Sequence, residues 1–229
     1  MKKIGLLISL ALLLFASSAI AIPSLQLDIS DGVYDYATDT VVATTSSFTL
    51  YALIDPALVD INSTFYLTMA VAPQVESNTD LGTFTVDGET YAVTDDMIYS
   101  SVKEDSPDLA AHGIYDTFYL ELPFTVATKM FLSVDAYNVE PEDNVTDEEV
   151  NLELAGDKLY QVPFLVDVSG LDPEYVIHFD LYTYVDGKKY FAPFSHDAES
   201  GSAPVPEPST LLLLGAGITG LAFYRRRKN

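Results

Sequence analysis

Phe118-Tyr119-Leu120-Glu121-Leu122-Pro123-Phe124-Thr125-Val126 decides the fold class. Apolar residues take every second position, and Tyr119, Glu121, Pro123 and Thr125 fill the alternates. Successive side chains of a strand point to opposite faces, so this period of two reads as a half-buried β-strand. The same pattern recurs at residues 48–54, 65–71, 130–136 and 177–181. Their expected inward sets are Phe48, Leu50, Ala52 and Ile54; Phe65, Leu67, Met69 and Val71; Met130, Leu132, Val134 and Ala136; and Ile177, Phe179 and Leu181. Residues 25–29, 40–43 and 161–168 are weaker strand candidates. Two hairpins are visible, one turning at Asp87-Gly88 and the other at Asp186-Gly187. Asp-Gly accepts the positive φ angles of a type I′ turn, which matches the twist of the strands it joins. No segment carries a sustained helical stripe; short helical pieces are expected only around 95–101 or 146–154. About ten strands without helical crossovers predict an all-β, antiparallel β-sandwich ectodomain over residues 22–199.

Composition narrows the function classes. The 229 residues hold 34 acidic and 11 basic side chains, for a net charge of −23. Nucleic-acid binding needs a basic footprint, so that class is excluded. Cysteine is absent, which removes disulfides, zinc–thiolate sites and thiol catalysis. The basic residues are concentrated at the chain ends: between residues 22 and 205 there are five lysines and no arginine.

The ends are therefore read apart from the middle. Lys2 and Lys3 precede an apolar run, and Ala19 and Ala21 occupy the −3 and −1 positions of a signal-peptidase site. Residues 1–21 are expected to be a cleaved signal peptide, with signal peptidase as a processing partner. Residues 200–208 form a linker of small residues and prolines that favours extended backbone. Residues 209–224 carry no charge and are expected to be a transmembrane helix. Sixteen helical residues reach about 24 Å, slightly less than a bilayer core, and a snorkelling basic flank covers the difference. Arg225, Arg226, Arg227 and Lys228, within the tail 225–229, should remain cytoplasmic as the stop that fixes the topology.

Pro206-Glu207-Pro208, the glycine-bearing apolar span and the closing basic cluster together resemble the PEP-CTERM sorting signal. The resemblance implies a Gram-negative bacterium that makes exopolysaccharide, and an exosortase that recognises Pro206, Glu207 and Pro208 and removes the tail. It also implies a transient inner-membrane anchor, followed by release to the cell surface or extracellular matrix. A fainter resemblance, to the exported choice-of-anchor N family, rests on Leu25-Gln26-Leu27-Asp28-Ile29, His112-Gly113-Ile114-Tyr115 and the segment from Ala192 to Ala198. It implies no enzymatic activity.

Candidate chemistry in the middle of the chain is sparse. His178 and Asp180 lie two apart on one strand and share a face, while His196 and Asp197 follow near the chain's last strand. If they converged they could ligate zinc or another divalent metal. Read alone they are exposed polar residues on an outer sheet face and in loops, and no catalytic residue, metal or cofactor is assigned. Ser195-His196-Asp197 is adjacent in sequence and is not expected to form a triad. Acidic clusters at 140–149, 28–31 and 105–108 lack EF-hand spacing and read as solvated charge. Tyr51, Tyr66, Tyr119, Tyr137, Tyr182 and Tyr184 all fall on outward positions, and on neighbouring strands they would form an aromatic platform for sugar rings.

The sequence thus predicts an exported, non-enzymatic surface or matrix protein. The alternatives are an extracellular polysaccharide-binding module on the tyrosine face, and a metal-dependent hydrolase using His178, Asp180 and His196.

Overall fold

The computed structural model describes residues 24–57, 60–100, 116–139 and 158–201. The signal peptide, the apolar span 209–224, the basic tail, nearly all of the linker, His112, the acidic runs 105–108 and 140–149, and the helical candidate 146–154 lie outside the described residues. Among the described residues no helix is long and apolar enough to cross a membrane.

The chain runs through β1 (Leu25–Ile29), β2 (Val33–Asp35), β3 (Thr40–Val42), β4 (Ser47–Ile54), β5 (Phe65–Ala72), β6 (Thr83–Val86), β7 (Glu89–Ala92), β8 (Ile98–Ser100), β9 (Thr117–Phe124), β10 (Leu132–Asp135), β11 (Lys158–Asp167), β12 (Val176–Val185), β13 (Lys188–Phe191) and β14 (Asp197–Glu199). One sheet has the order β1-β4-β11-β6-β7, with β10 also on β11; the other has the order β2-β3-β14-β12-β5-β9-β8, with β13 also on β12. Neighbours are antiparallel except β14 and β3, which run parallel. The fold is all-β, as the alternation predicts.

The inward sets meet between the sheets. Leu27, Leu50, Phe164 and Ala52 from the first sheet, and Phe65, Leu67, Met69, Phe179 and Leu181 from the second, are fully buried. Phe48 meets Phe179 edge-on at 6.1 Å, and Phe124 meets Phe164 edge-on at 5.0 Å, so aromatic contacts cross the layer. Each such side chain contributes about 1.5–3 kcal/mol on burial, which is how a domain without disulfides holds together. Both Asp-Gly hairpins form with positive φ at each residue: 52° and 87° at Asp87 and Gly88, 51° and 76° at Asp186 and Gly187.

Three expectations are corrected. Among the described residues of the candidate, 95–100 hold no helix; turns there lead into β8. The strand expected over 130–136 is reduced to β10, and of its inward set Met130 and Leu132 are 87% and 64% exposed while Ala136 is buried. β10 pairs with only the first residues of β11, at the sheet's margin, and among the described residues no second layer covers those two side chains. The third correction concerns β5 and β12, which are buried on both faces: Thr68, Ala70, His178, Asp180 and Tyr182 are as enclosed as the apolar residues between them.

Candidate functional site

β12 carries the chemistry because of where it lies. β5 pairs along one edge over eight positions, from Val176↔Ala72 to Thr183↔Phe65. The other edge is shared: β14 stands opposite His178 and Phe179, and β13 opposite the run from Tyr182 to Val185. Ile177, Phe179 and Leu181 face the core, so His178, Asp180, Tyr182 and Tyr184 face away from it. Directly opposed residues of an antiparallel pair share a face. Asp180 therefore stands beside Thr68, with Glu121 beyond, and His178 stands between Ala70 and Glu199. Asp197, two residues before Glu199 on β14, returns to that face next to Asp180.

The result is a buried polar cluster. His178 Nε2 lies 3.9 Å from Asp180 Oδ1 and 3.8 Å from Asp197 Oδ2, while Nδ1 lies 3.8 Å from Glu199 Oε2. His178, Asp180 and Asp197 are each at most 5% exposed. Burial alone would lower the imidazole pKa, but the carboxylates of Asp197, Glu199 and Asp180 outweigh it and push it up to about 10. Burial, then the negative charge of Asp197, holds the Asp180 carboxyl well above the usual carboxylate range, with His178 pulling the other way. Thr68 is fully buried, and its Oγ1 has no hydrogen-bond partner among the described residues. His178, Asp180 and Asp197 each offer a ligand atom within 4.8 Å of the others, an arrangement able to hold a metal ion. The outward reading of His178 and Asp180 as exposed polar residues is thus corrected: they lie at the centre of a sheet whose outer face is covered.

His196 is not part of this cluster. It is buried, with Nε2 2.5 Å from Asn138 Oδ1 and Nδ1 2.8 Å from Ser195 Oγ. The hydrolase set of His178, Asp180 and His196 is therefore not assembled as expected; Asp197 takes the place given to His196. Ser195 does reach His196, but the imidazole's other nitrogen meets Asn138 rather than Asp197. Glu199 and Thr68 were missed by sequence reasoning, because neither the pairing of β14 nor the covering of the outer face leaves a periodic signal.

The six tyrosines do not form one surface. Tyr51 lies on β4 of the first sheet, and Tyr137, just past β10, packs beside it against Leu53, Ala136 and Leu159. The Tyr137 hydroxyl donates to Asp28 Oδ2 at 2.6 Å, so one carboxylate of the 28–31 acidic cluster is engaged internally. Tyr66, Tyr119, Tyr182 and Tyr184 lie on the second sheet, and Tyr119 and Tyr182 are only 7% and 3% exposed. Tyr66 and Tyr182 stack at 4.8 Å with planes 11° apart, and Lys189 Nζ sits 4.4 Å from the Tyr182 ring centre. The Tyr182 hydroxyl donates to Glu121 at 2.7 Å; burial, then this carboxylate, pushes its pKa upward. The β12–β13 hairpin end stays open, where Tyr184, Tyr190 and Phe191 are 41–50% exposed.

Beyond the described residues, residues 204–228 match the family model of the PEP-CTERM protein-sorting motif. The chain ends in a PEP-CTERM sorting signal. The match contains Pro206, Glu207 and Pro208 as well as Arg225, Arg226, Arg227 and Lys228. It implies an exported protein with a C-terminal membrane-anchored signal processed by exosortase. No curated protein matches the chain. Among solved structures, the chain is similar to ACE19, the collagen binding subdomain of Enterococcus faecalis surface protein ACE. That likeness has 7% identity and a TM-score of 0.25, over 80% of this chain and 99% of the other.

Proposed function

We propose that this protein is a non-enzymatic component of the bacterial cell surface or extracellular matrix, delivered there by its PEP-CTERM signal. The observation that carries the reading is the match at residues 204–228. Proline disfavours helix and favours extended backbone, and the single charge of Glu207 in a neutral stretch provides a recognition handle for the processing enzyme. The described domain suits a passive role: its tyrosines pack on one another and its buried imidazoles are enclosed.

The test is mass spectrometry of the surface material beside the membrane fraction. The surface form should begin near Ile22 and lack the apolar span, whereas Glu207→Ala should be exported yet keep its tail and stay with the membrane. Unchanged tail removal in that variant would make the motif incidental.

A second reading, binding of an extracellular neutral polysaccharide, is favoured by the exposed Tyr184, Tyr190 and Phe191 at one hairpin end. Tyr66 and Tyr182 would support that patch from beneath rather than contact sugar. A Tyr184→Ala/Phe191→Ala double variant should then lose binding to neutral glycans while Tyr119→Ala, if folded, retains it. A parent that binds no neutral glycan removes this reading and leaves the first intact.

A further inference from the structure

The cluster on the outer face of β12 goes beyond sorting. His178 and Asp180 come from one strand and Asp197 from the strand paired with it, so all three ligand atoms are set by sheet register rather than by loops. His178 Nε2 lies 3.8–3.9 Å from one oxygen of each aspartate, and the three ligand atoms lie within 4.8 Å of one another, close enough for a single ion to reach all three. Bound to an ion, a neutral imidazole and two carboxylates carry a formal charge of −2, which a dication balances in a place where burying unbalanced charge is costly; the ion displaces the protons that the cluster holds without it.

Two neighbours point the same way. Glu199 lies on the Nδ1 side of the ring, 3.8 Å from that nitrogen. A carboxylate on that side favours the proton on Nδ1 electrostatically and leaves the Nε2 lone pair for the ion; a small shift on binding would close the contact to the hydrogen bond of carboxylate–histidine–zinc groupings. Thr68, opposite Asp180 on β5, is buried with its hydroxyl unpartnered among the described residues. A water completing the ion's shell would be its partner; a buried hydroxyl ordinarily has one. Mixed nitrogen and oxygen donors suit zinc or manganese better than calcium or magnesium, which prefer all-oxygen shells.

We propose that His178, Asp180 and Asp197 bind one divalent transition-metal ion, zinc or manganese, which joins β12 to β14. The ion is a structural staple in a chain that has no cysteine to make one.

The experiment uses the full chain in detergent, stripped with a chelator and dialysed separately against zinc and manganese. One ion per chain should be retained at micromolar free metal, and the melting temperature should rise by several degrees. X-ray absorption should report nitrogen together with oxygen ligands. Asp180→Asn and Asp197→Asn should each weaken binding by at least about 100-fold, Glu199→Gln by about 10-fold, and His196→Gln should leave it unchanged. The parent alone is decisive if a variant fails to fold. No stoichiometric uptake of either metal, an all-oxygen shell, or uptake that survives both asparagine variants would overturn the proposal, whatever becomes of tail processing.

Discussion

Replacing Phe164 tests whether the two sheets close on one another as described. The ring is fully buried, meets Phe124 edge-on at 5.0 Å, and has Lys129 Nζ 3.8 Å from its centre. Lys129 in turn pairs with Asp87, whose Oδ1 accepts from the Leu165 backbone N–H at 2.9 Å. Removing a buried phenyl ring costs about 3–5 kcal/mol through lost transfer energy and the cavity left behind. Phe164→Leu keeps most of the volume and loses the ring-specific terms, about 0.5–1.5 kcal/mol for the aromatic pair and about 0.5–1 kcal/mol for the cation. For a domain of this size each kcal/mol lowers the melting point by about 2–4 °C, so Phe164→Ala should fall by about 6–20 °C. Calorimetry or circular dichroism of parent, Phe164→Ala, Phe164→Leu and Lys129→Met would measure this, and the Phe164→Leu/Lys129→Met double variant closes a thermodynamic cycle. Phe164→Ala costing under about 1 kcal/mol would show that the ring is not between the sheets, and the reasoning fails.

Gln26 is fully buried; its Nε2 donates to the Tyr137 carbonyl and its Oε1 accepts from the Val139 N–H, both at 3.0 Å. Gln26→Leu keeps the bulk but strands both backbone groups, for an expected loss of about 1–3 kcal/mol by urea melts. Asp28 gives a pH test: burial raises its pKa against the pull of Tyr137 and the Ile29 N–H. Its favourable contribution is complete below the unfolded carboxylate value and is lost as pH rises through the higher folded value. The melting point of the parent relative to Asp28→Asn should therefore fall between about pH 4 and its folded pKa and then level off; a difference that grows with pH contradicts the burial argument. Gly82 has φ +89°, and an added Cβ would lie 2.0 Å from the Gly170 carbonyl oxygen, whereas Gly88 at φ +87° would meet nothing within 4 Å. Gly82→Ala should fail to accumulate or lose more than about 3 kcal/mol, while Gly88→Ala should lose about 1–2 kcal/mol from backbone strain alone; equal effects would mean that crowding at Gly170 is absent.

Period two made β4, β5, β9 and β12 legible because their core faces are apolar without interruption, as in Phe65, Leu67, Met69 and Val71. The Asp-Gly turns were legible because few residue pairs accept two positive φ angles in succession. At β10 the same alternation misled: Met130 and Leu132 have the spacing of a core strand, but they lie exposed at a margin where no layer of the described residues reaches. The cluster was half legible. His178 and Asp180 share a face by spacing alone, yet an alternation pattern says which residues share a face and not whether that face is covered. The third member could not be chosen from sequence, since His196 and Asp197 are adjacent and point apart. Asp197 enters only through pairing of β14 with β12, a contact between distant segments that no local pattern encodes.

The parallel pairing of β14 with β3 bears on the order in which the molecule can be completed. Among the described residues of the second sheet, β2 and β3 reach the rest through β14 alone, so residues 33–42 join that sheet when residues 197–199 are present. A chain emerging from its N-terminus, whether from the ribosome or across a membrane, can pair β1 with β4 early, but β3 waits for β14 almost to the end. Open edges recruit other strands, so this interval is when the protein is most prone to aggregate. Closure comes only as the segment immediately before the sorting signal arrives, which ties the finished sheet to full-length passage: a product truncated before Asp197 would lack the strand that joins its beginning to its end.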